Sequence, residues 1–252
     1  MRLFAVAIAL LVAACAGGGE RETASPSRAI PATAAASASP TPTPTRGPAL
    51  ERVDGHYVYG GSDVDHPAGI YAAPDFAFPF TAELDRDLGV RDSDQEGDGF
   101  VYIAQDKNAP INGDEEFVAM LLRQIIDPED QRSISPFSGD AFDWFLAHTR
   151  LTLVDGSTVK VTVDGLAARQ ADFLPARPVA CGTFHFNLQC VLIGYGPTGD
   201  EPLAVFDGSR QRVVVVDHAD RQIVFEYQHA DTAEWSDAVS VFDHWVRSVD
   251  FK

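Results

Sequence analysis

Thr158-Val-Lys-Val-Thr-Val-Asp-Gly-Leu-Ala-Ala-Arg-Gln-Ala-Asp-Phe173 is the stretch that decides the fold. Val159, Val161 and Val163 alternate with polar residues, the period of a strand with one face against a core. Asp164-Gly165 supplies the two residues of a tight hairpin, because both tolerate a left-handed backbone. Leu166 to Phe173 then returns as the second strand. Strands joined this way pair antiparallel and need no crossover helix, which argues against parallel βαβ units.

Further strands follow at Leu188–Tyr195, Leu203–Phe206, Arg212–Val216 and Gln222–Tyr227, linked by turn-like Asp207-Gly208 and His218-Ala-Asp-Arg221. The period then changes. Trp235, Ala238, Val239, Phe242, Trp245, Val246 and Val249 recur at spacings of three and four, which predicts an amphipathic helix. Asp231-Thr-Ala-Glu234 has the spacing of a capping box, with Asp in place of Ser or Thr. His244 and Arg247 lie where the helix dipole favours positive charge. The stripe is expected to close over the sheet, with Trp235 and Trp245 in the core.

Upstream of the hairpin, Phe142–His148 reads as a short helix capped by Asp140 or Ser138, with Phe142, Phe145, Leu146 and Thr149 on one face. Residues 114–127 fit either a helix or a buried strand, ended by Pro128. Gly99–Gln105 reads as a strand. Phe76, Phe78 and Phe80, two apart within Gly69–Leu84, also suggest a strand, with Pro79 at an edge or bulge. The sum is an α+β domain, an antiparallel β-sheet covered by a short central helix and an amphipathic C-terminal helix.

The N-terminus has a different character. Met1-Arg2 is followed by an apolar run from Leu3 to Ala14, too short for a spanning helix and the length of an export-signal core. Val12-Ala-Ala-Cys15 resembles the bacterial lipobox. That resemblance implies a signal peptide over 1–14, acylation of the Cys15 thiol and cleavage before it; the plainer alternative is an ordinary secretory signal. Residues 15–48 are rich in Ala, Ser, Thr and Pro and are expected to form a disordered tether. It reaches up to roughly 100 Å when stretched. Residues 49–252 form the globular domain. Four basic and two acidic residues precede Ala49, so 15 basic and 35 acidic residues remain, a formal charge of −20. Such a field repels nucleic acid and anionic head groups.

With Cys15 lipidated, Cys181 and Cys190 remain as an even pair outside the cytoplasm, where a disulfide is expected. A zinc site at Cys181, His185 and Cys190 is the alternative, though it lacks a second ligand pair. Asp94, Glu96 and Asp98, ahead of Gly99, have the alternating oxygen donors of a weak calcium loop but no glutamate at the twelfth position; a solvated turn is the competing account. Asp63, Asp65 and His66, in Gly60–Pro67, suit either a metal or a polar loop. These 252 residues contain no Gly-x-Ser-x-Gly elbow and no Walker loop.

A wider resemblance emerges from several short passages. Gly69-Ile-Tyr71 through Pro79-Phe80, Asp127-Pro128, Trp144 to His148, Val161 to Leu166 and Ser248 to Phe251 resemble a class of bacterial extracytoplasmic lipoprotein domains similar to the PsbP-like fold. The likeness covers most of residues 69–251. It departs where the class has Gly-Trp after its Phe-rich strand and this chain has Asp85-Arg-Asp-Leu-Gly89. The resemblance implies an α/β/α sandwich and no catalytic motif. The functional expectation is therefore a membrane-anchored, extracytoplasmic lipoprotein presenting a noncatalytic binding domain. Its partners would be the membrane, through the lipid, and an envelope protein or small ligand. The alternative is an envelope hydrolase whose residues are distant in sequence.

Overall fold

A computed structural model describes residues 52–59, 64–96, 99–106, 115–181, 188–195, 202–230 and 234–252. They belong to one compact unit, Thr45–Lys252. In chain order the elements begin with β1 (Arg52–Val53), β2 (His56–Val58), β3 (Val64–His66), β4 (Gly69–Ala73) and β5 (Phe80–Leu84). Next come β6 (Leu88–Glu96), β7 (Gly99–Asp106), β8 (Glu115–Met120), β9 (Gln124–Ile126) and β10 (Ile134–Pro136). Then follow α1 (Ala141–Ala147), β11 (Leu151–Leu153), β12 (Val159–Val163), β13 (Leu166–Pro175) and β14 (Val179–Ala180). The chain ends with β15 (Gln189–Tyr195), β16 (Pro202–Phe206), β17 (Arg210–His218), β18 (Arg221–His229), α2 (Trp235–Arg247) and β19 (Asp250–Phe251).

The central sheet is antiparallel and runs β11-β13-β17-β18-β8-β7-β6-β3, with β12 alongside β13. Its founding hairpin is β12–β13, with Val163 opposite Leu166 and both Asp164 (φ 48°) and Gly165 (φ 73°) left-handed. That is the backbone of a type I′ turn.

Both faces of this sheet are buried, and alternate residues go to different cores. Phe117, Ala119, Val214, Val216, Ile223, Phe225 and Tyr227 meet α2 and the small sheet β1-β2-β4-β5-β19. Val118, Met120, Val213, Val215, Val224 and Phe173 meet α1 and a second small sheet of β10-β9-β15-β14 with β16 on β15. The fold is thus α+β but rich in sheet. Each face is covered by one helix together with one small sheet, where the sequence suggested helices alone.

Within 114–127, Glu115–Met120 and Gln124–Ile126 are strands, not helix. β8 lies between β7 and β18 with both faces covered, so its apolar residues show no period. Phe76, Phe78 and Phe80 are not one strand. The chain turns between β4 and β5, so that Ala73 pairs Phe80, and Phe76 packs on Phe80 from the connection at 5.8 Å between ring centres. Pro74 and Pro79 flank that connection, and neither can donate to a ladder.

Both helices form for the expected reason, with changes at their ends. α1 is capped by Asp140, whose carboxylate accepts from the Asp143 N–H at 2.9 Å, but Leu146 points to solvent. α2 starts at Trp235 with Glu234 as its N-cap and no side-chain cap, later than the Asp231 capping box implied; residues 231–233 lie outside the described set. Its far end is anchored by Ser248, whose hydroxyl donates to the Trp245 carbonyl and accepts from the Glu83 N–H of β5, each at 2.7 Å. The chain then adds β19 to the same strand, with Phe251 opposite Phe80.

Candidate binding cleft

β8 leaves the central sheet at its C-terminal end. Its pairing with β18 stops at Met120 opposite Val224, and the chain passes through Leu121, Leu122 and Arg123 to join the second small sheet as β9. β18 meanwhile starts three residues further out, at Arg221. The two strands diverge, and a cleft of about 570 Å³ opens between them. That is within the usual size of a small-ligand site. Leu121, Leu122, Phe137 and Ala141 give it apolar surface; Arg123, Asp217, Asp220 and Arg221 supply charges of both signs.

The walls are held in place by a polar network. Gln222 accepts from the Ala141 N–H at the start of α1 (2.7 Å) and donates to Asp140 (3.1 Å) and Asp217 (2.8 Å). Arg169 of β13 reaches Asp140 at 2.6 Å and lies over the Phe142 ring. Burial disfavours the Asp140 carboxylate, but donors from Arg169, the Asp143 N–H and Gln222 outweigh it and hold its pKa down to about 2. The cap of α1 is thereby also the pin that fixes the β17–β18 hairpin. A cleft walled this way is pre-organised for a ligand.

A second charged cluster lies on the opposite face and is structural. Asp172 is fully buried and receives the Arg212 guanidinium at 2.7 and 3.0 Å, with Arg210 at 2.5 Å. The same Arg212 donates to both Asp243 oxygens at 2.7 Å and so ties α2 to β17. Trp235 lies against Arg210 at 4.6 Å. Burial works against the Arg212 charge, yet its two carboxylate partners raise its pKa.

The residues singled out in the sequence fall as follows. Cys181 and Cys190 form a disulfide, with Cα atoms 5.5 Å apart beside the β14–β15 pair. Both thiols are therefore spent, and the zinc alternative loses two of its ligands; His185 lies outside the described residues. Cys15 lies outside them as well. Asp94 and Glu96 belong to β6, which pairs with β7 as far as Glu96 opposite Gly99; Asp98 is outside the described residues. Asp94 and Glu96 are thus strand residues. Asp63 is also outside. His66 ends β3, fully buried and stacked on Tyr71 at 4.8 Å, so Val64–His66 is strand. Among the described residues no His, Cys, Asp and Glu side chains gather in the number a metal needs.

Sequence reasoning missed the cleft. Its residues sit in turns and strand ends that read as connections, and nothing local signals that two neighbouring strands part company. Two signals were visible in the second cluster: Arg210 and Arg212 alternate into a valine-rich strand, and Asp172 interrupts the apolar run around Phe173. No family model matches this chain, and no curated protein matches it either. Among the described residues no helix is long and apolar enough to cross a membrane.

Proposed function

We propose that this chain is an extracytoplasmic lipoprotein, anchored through Cys15 and a flexible tether, whose acidic domain binds a partner without transforming it. The PsbP-like fold is part of the proposal; α1 and α2 on opposite faces of the central sheet favour it. The observation that carries the binding reading is the cleft between β8 and β18. It is open and apolar-floored, with a rim of both signs, and its walls are fixed by the Asp140–Gln222 network. Catalytic sites bring a nucleophile and a base within hydrogen-bond reach. The groups at this cleft are mainly apolar side chains, arginines and aspartates, with Ser138 and Gln222 beside them, a set suited to docking.

The test is site-specific photocross-linking in living cells. A photoreactive amino acid at Asp220, on the cleft rim, is expected to give a discrete adduct. The same group at Thr162, exposed on β12, is expected to give none. Adducts from both positions alike, or from neither, would sink the proposal.

A further inference from the structure

β18 carries an interrupted hydrogen-bond ladder, and its geometry says what kind of molecule can continue it. The β17–β18 turn is a two-residue loop of Ala219 and Asp220, with His218 opposite Arg221. In such a hairpin the flanking pair exchanges both backbone hydrogen bonds, and the exchange recurs at every second pair. Arg221 and Ile223 therefore spend their N–H and C=O groups on β17. Gln222 turns its own outward, to the side where β8 would lie. Had β8 continued, Leu122 would stand opposite Gln222, two residues beyond the Met120–Val224 pair. Instead Leu122 has moved away, and the Phe137 N–H takes the carbonyl of the next residue, Arg123, at 2.8 Å. One strand edge thus faces the cleft with a donor and an acceptor at strand spacing.

We infer that the cleft takes an extended polypeptide segment, which adds to β18 at Gln222 in the place that β8 vacates. This rests on the binding reading above and names the chemistry of its ligand. A peptide backbone is the ligand class that offers a carbonyl and an N–H at the spacing an open edge requires. Alternate side chains of an extended segment point to opposite sides, so one set meets Leu122 and Phe137 and the other faces solvent. Asp220, exposed at the rim, gives positive charge on the peptide a counterpart. The bonds to Gln222 are to backbone, so they tolerate many sequences, and the apolar floor supplies the selectivity. Elsewhere the sheet guards its margin: Lys160 sits exposed in edge strand β12, a residue type that discourages strand addition. The edge at Gln222 lies instead inside a cleft, where a free neighbour cannot slide on but a slender chain can enter.

The experiment uses the mature chain, residues 15–252, and a phage-displayed library of random dodecamers as probe. Selected peptides are expected to shift the Gln222 and Ile223 backbone amide resonances. N-methylation of alternate peptide residues should weaken binding at least 10-fold. Two substitutions separate backbone from side chain. Gln222→Ala removes the anchor to α1 but keeps the N–H; Gln222→Pro removes both, and proline is tolerated where the N–H points away from the ladder. The alanine variant, which loosens the cleft wall, should bind more weakly than wild type, and the proline variant should lose at least a further 10-fold. Equal binding by the two, or peptide-induced shifts confined to other surfaces, would overturn the inference. Where Gln222→Pro does not fold, the wild-type amide shifts decide. A library that yields no binder also overturns it, even if Asp220 cross-links to an envelope component; the binding reading would then stand with a non-peptide ligand.

Discussion

His148 is buried at the end of α1, its ring 4.9 Å from the Trp144 indole and its Nδ1 accepting from the Arg150 N–H. Burial, with the nearby Arg150 charge, lowers its pKa from the ordinary 6.5 to about 4. The unfolded chain takes up that proton near pH 6.5 and the folded chain only near 4. The group's contribution is therefore complete above pH 6.5 and is lost as pH falls toward 4, by up to about 3 kcal/mol. Urea midpoints measured from pH 7 to 4 should fall along this window. In His148→Asn, which keeps an acceptor for Arg150, that part of the slope should be absent. Arg150 itself donates to three carbonyls, those of Pro128, Glu129 (2.8 Å) and Arg177 (2.6 Å), and so clamps three segments. A lysine cannot present that planar fork. Arg150→Lys should cost about 1 kcal/mol in chemical denaturation, because the part-buried Pro128 carbonyl or one of its exposed neighbours loses its partner.

Helix α2 shows at the scale of an element how apolar spacing becomes a lid. Trp235, Val239, Phe242, Trp245 and Val246 are all buried, as the three-and-four spacing implied. Trp245 packs edge-on to Phe117 (5.6 Å), Phe225 (5.7 Å) and Phe80 (6.0 Å). Its indole N–H donates to the Tyr59 hydroxyl at 2.7 Å. Trp245→Ala should cost about 3–5 kcal/mol and lower Tm sharply or prevent soluble expression. Trp245→Phe keeps most of the packing but leaves the Tyr59 hydroxyl short of a donor, and should cost about 1–2 kcal/mol. A Trp245→Ala domain with unchanged Tm would show that the helix is not part of the core. Period was legible here because one side of α2 meets protein and the other meets water. It was illegible in β8, where both sides meet protein. The β12–β13 hairpin was legible from Asp164-Gly165 because turn chemistry is local. The small sheet holding β5 and β19 was not, because it joins residues 80–84 to the last residues of the chain through pairing that no local pattern encodes.

For the molecule as a whole, the acidic domain has both faces of its main sheet covered, and the tether before it is part of the proposal. Many of its cations are committed internally: Arg150 to carbonyls, Arg169 to Asp140, Arg210 and Arg212 to Asp172. The acidic excess is left to face outward, which favours encounters with partners that carry positive charge. The proposed placement on a membrane rests on Cys15. Replacing it with serine should abolish metabolic labelling by a fatty-acid probe and shift the protein out of the membrane fraction, or leave it as an uncleaved precursor. Continued labelling would rule out Cys15 as the acceptor.

The most direct test of the central claim, that the cleft between β8 and β18 is where this domain meets its partner, is hydrogen–deuterium exchange. The full chain would be compared in native envelope membranes and after purification in detergent. Slower exchange in the membranes at residues 121–123 and 217–223, with the rest of the described domain unchanged, is the expected result. Identical exchange at those segments, or protection confined to another surface, would contradict it.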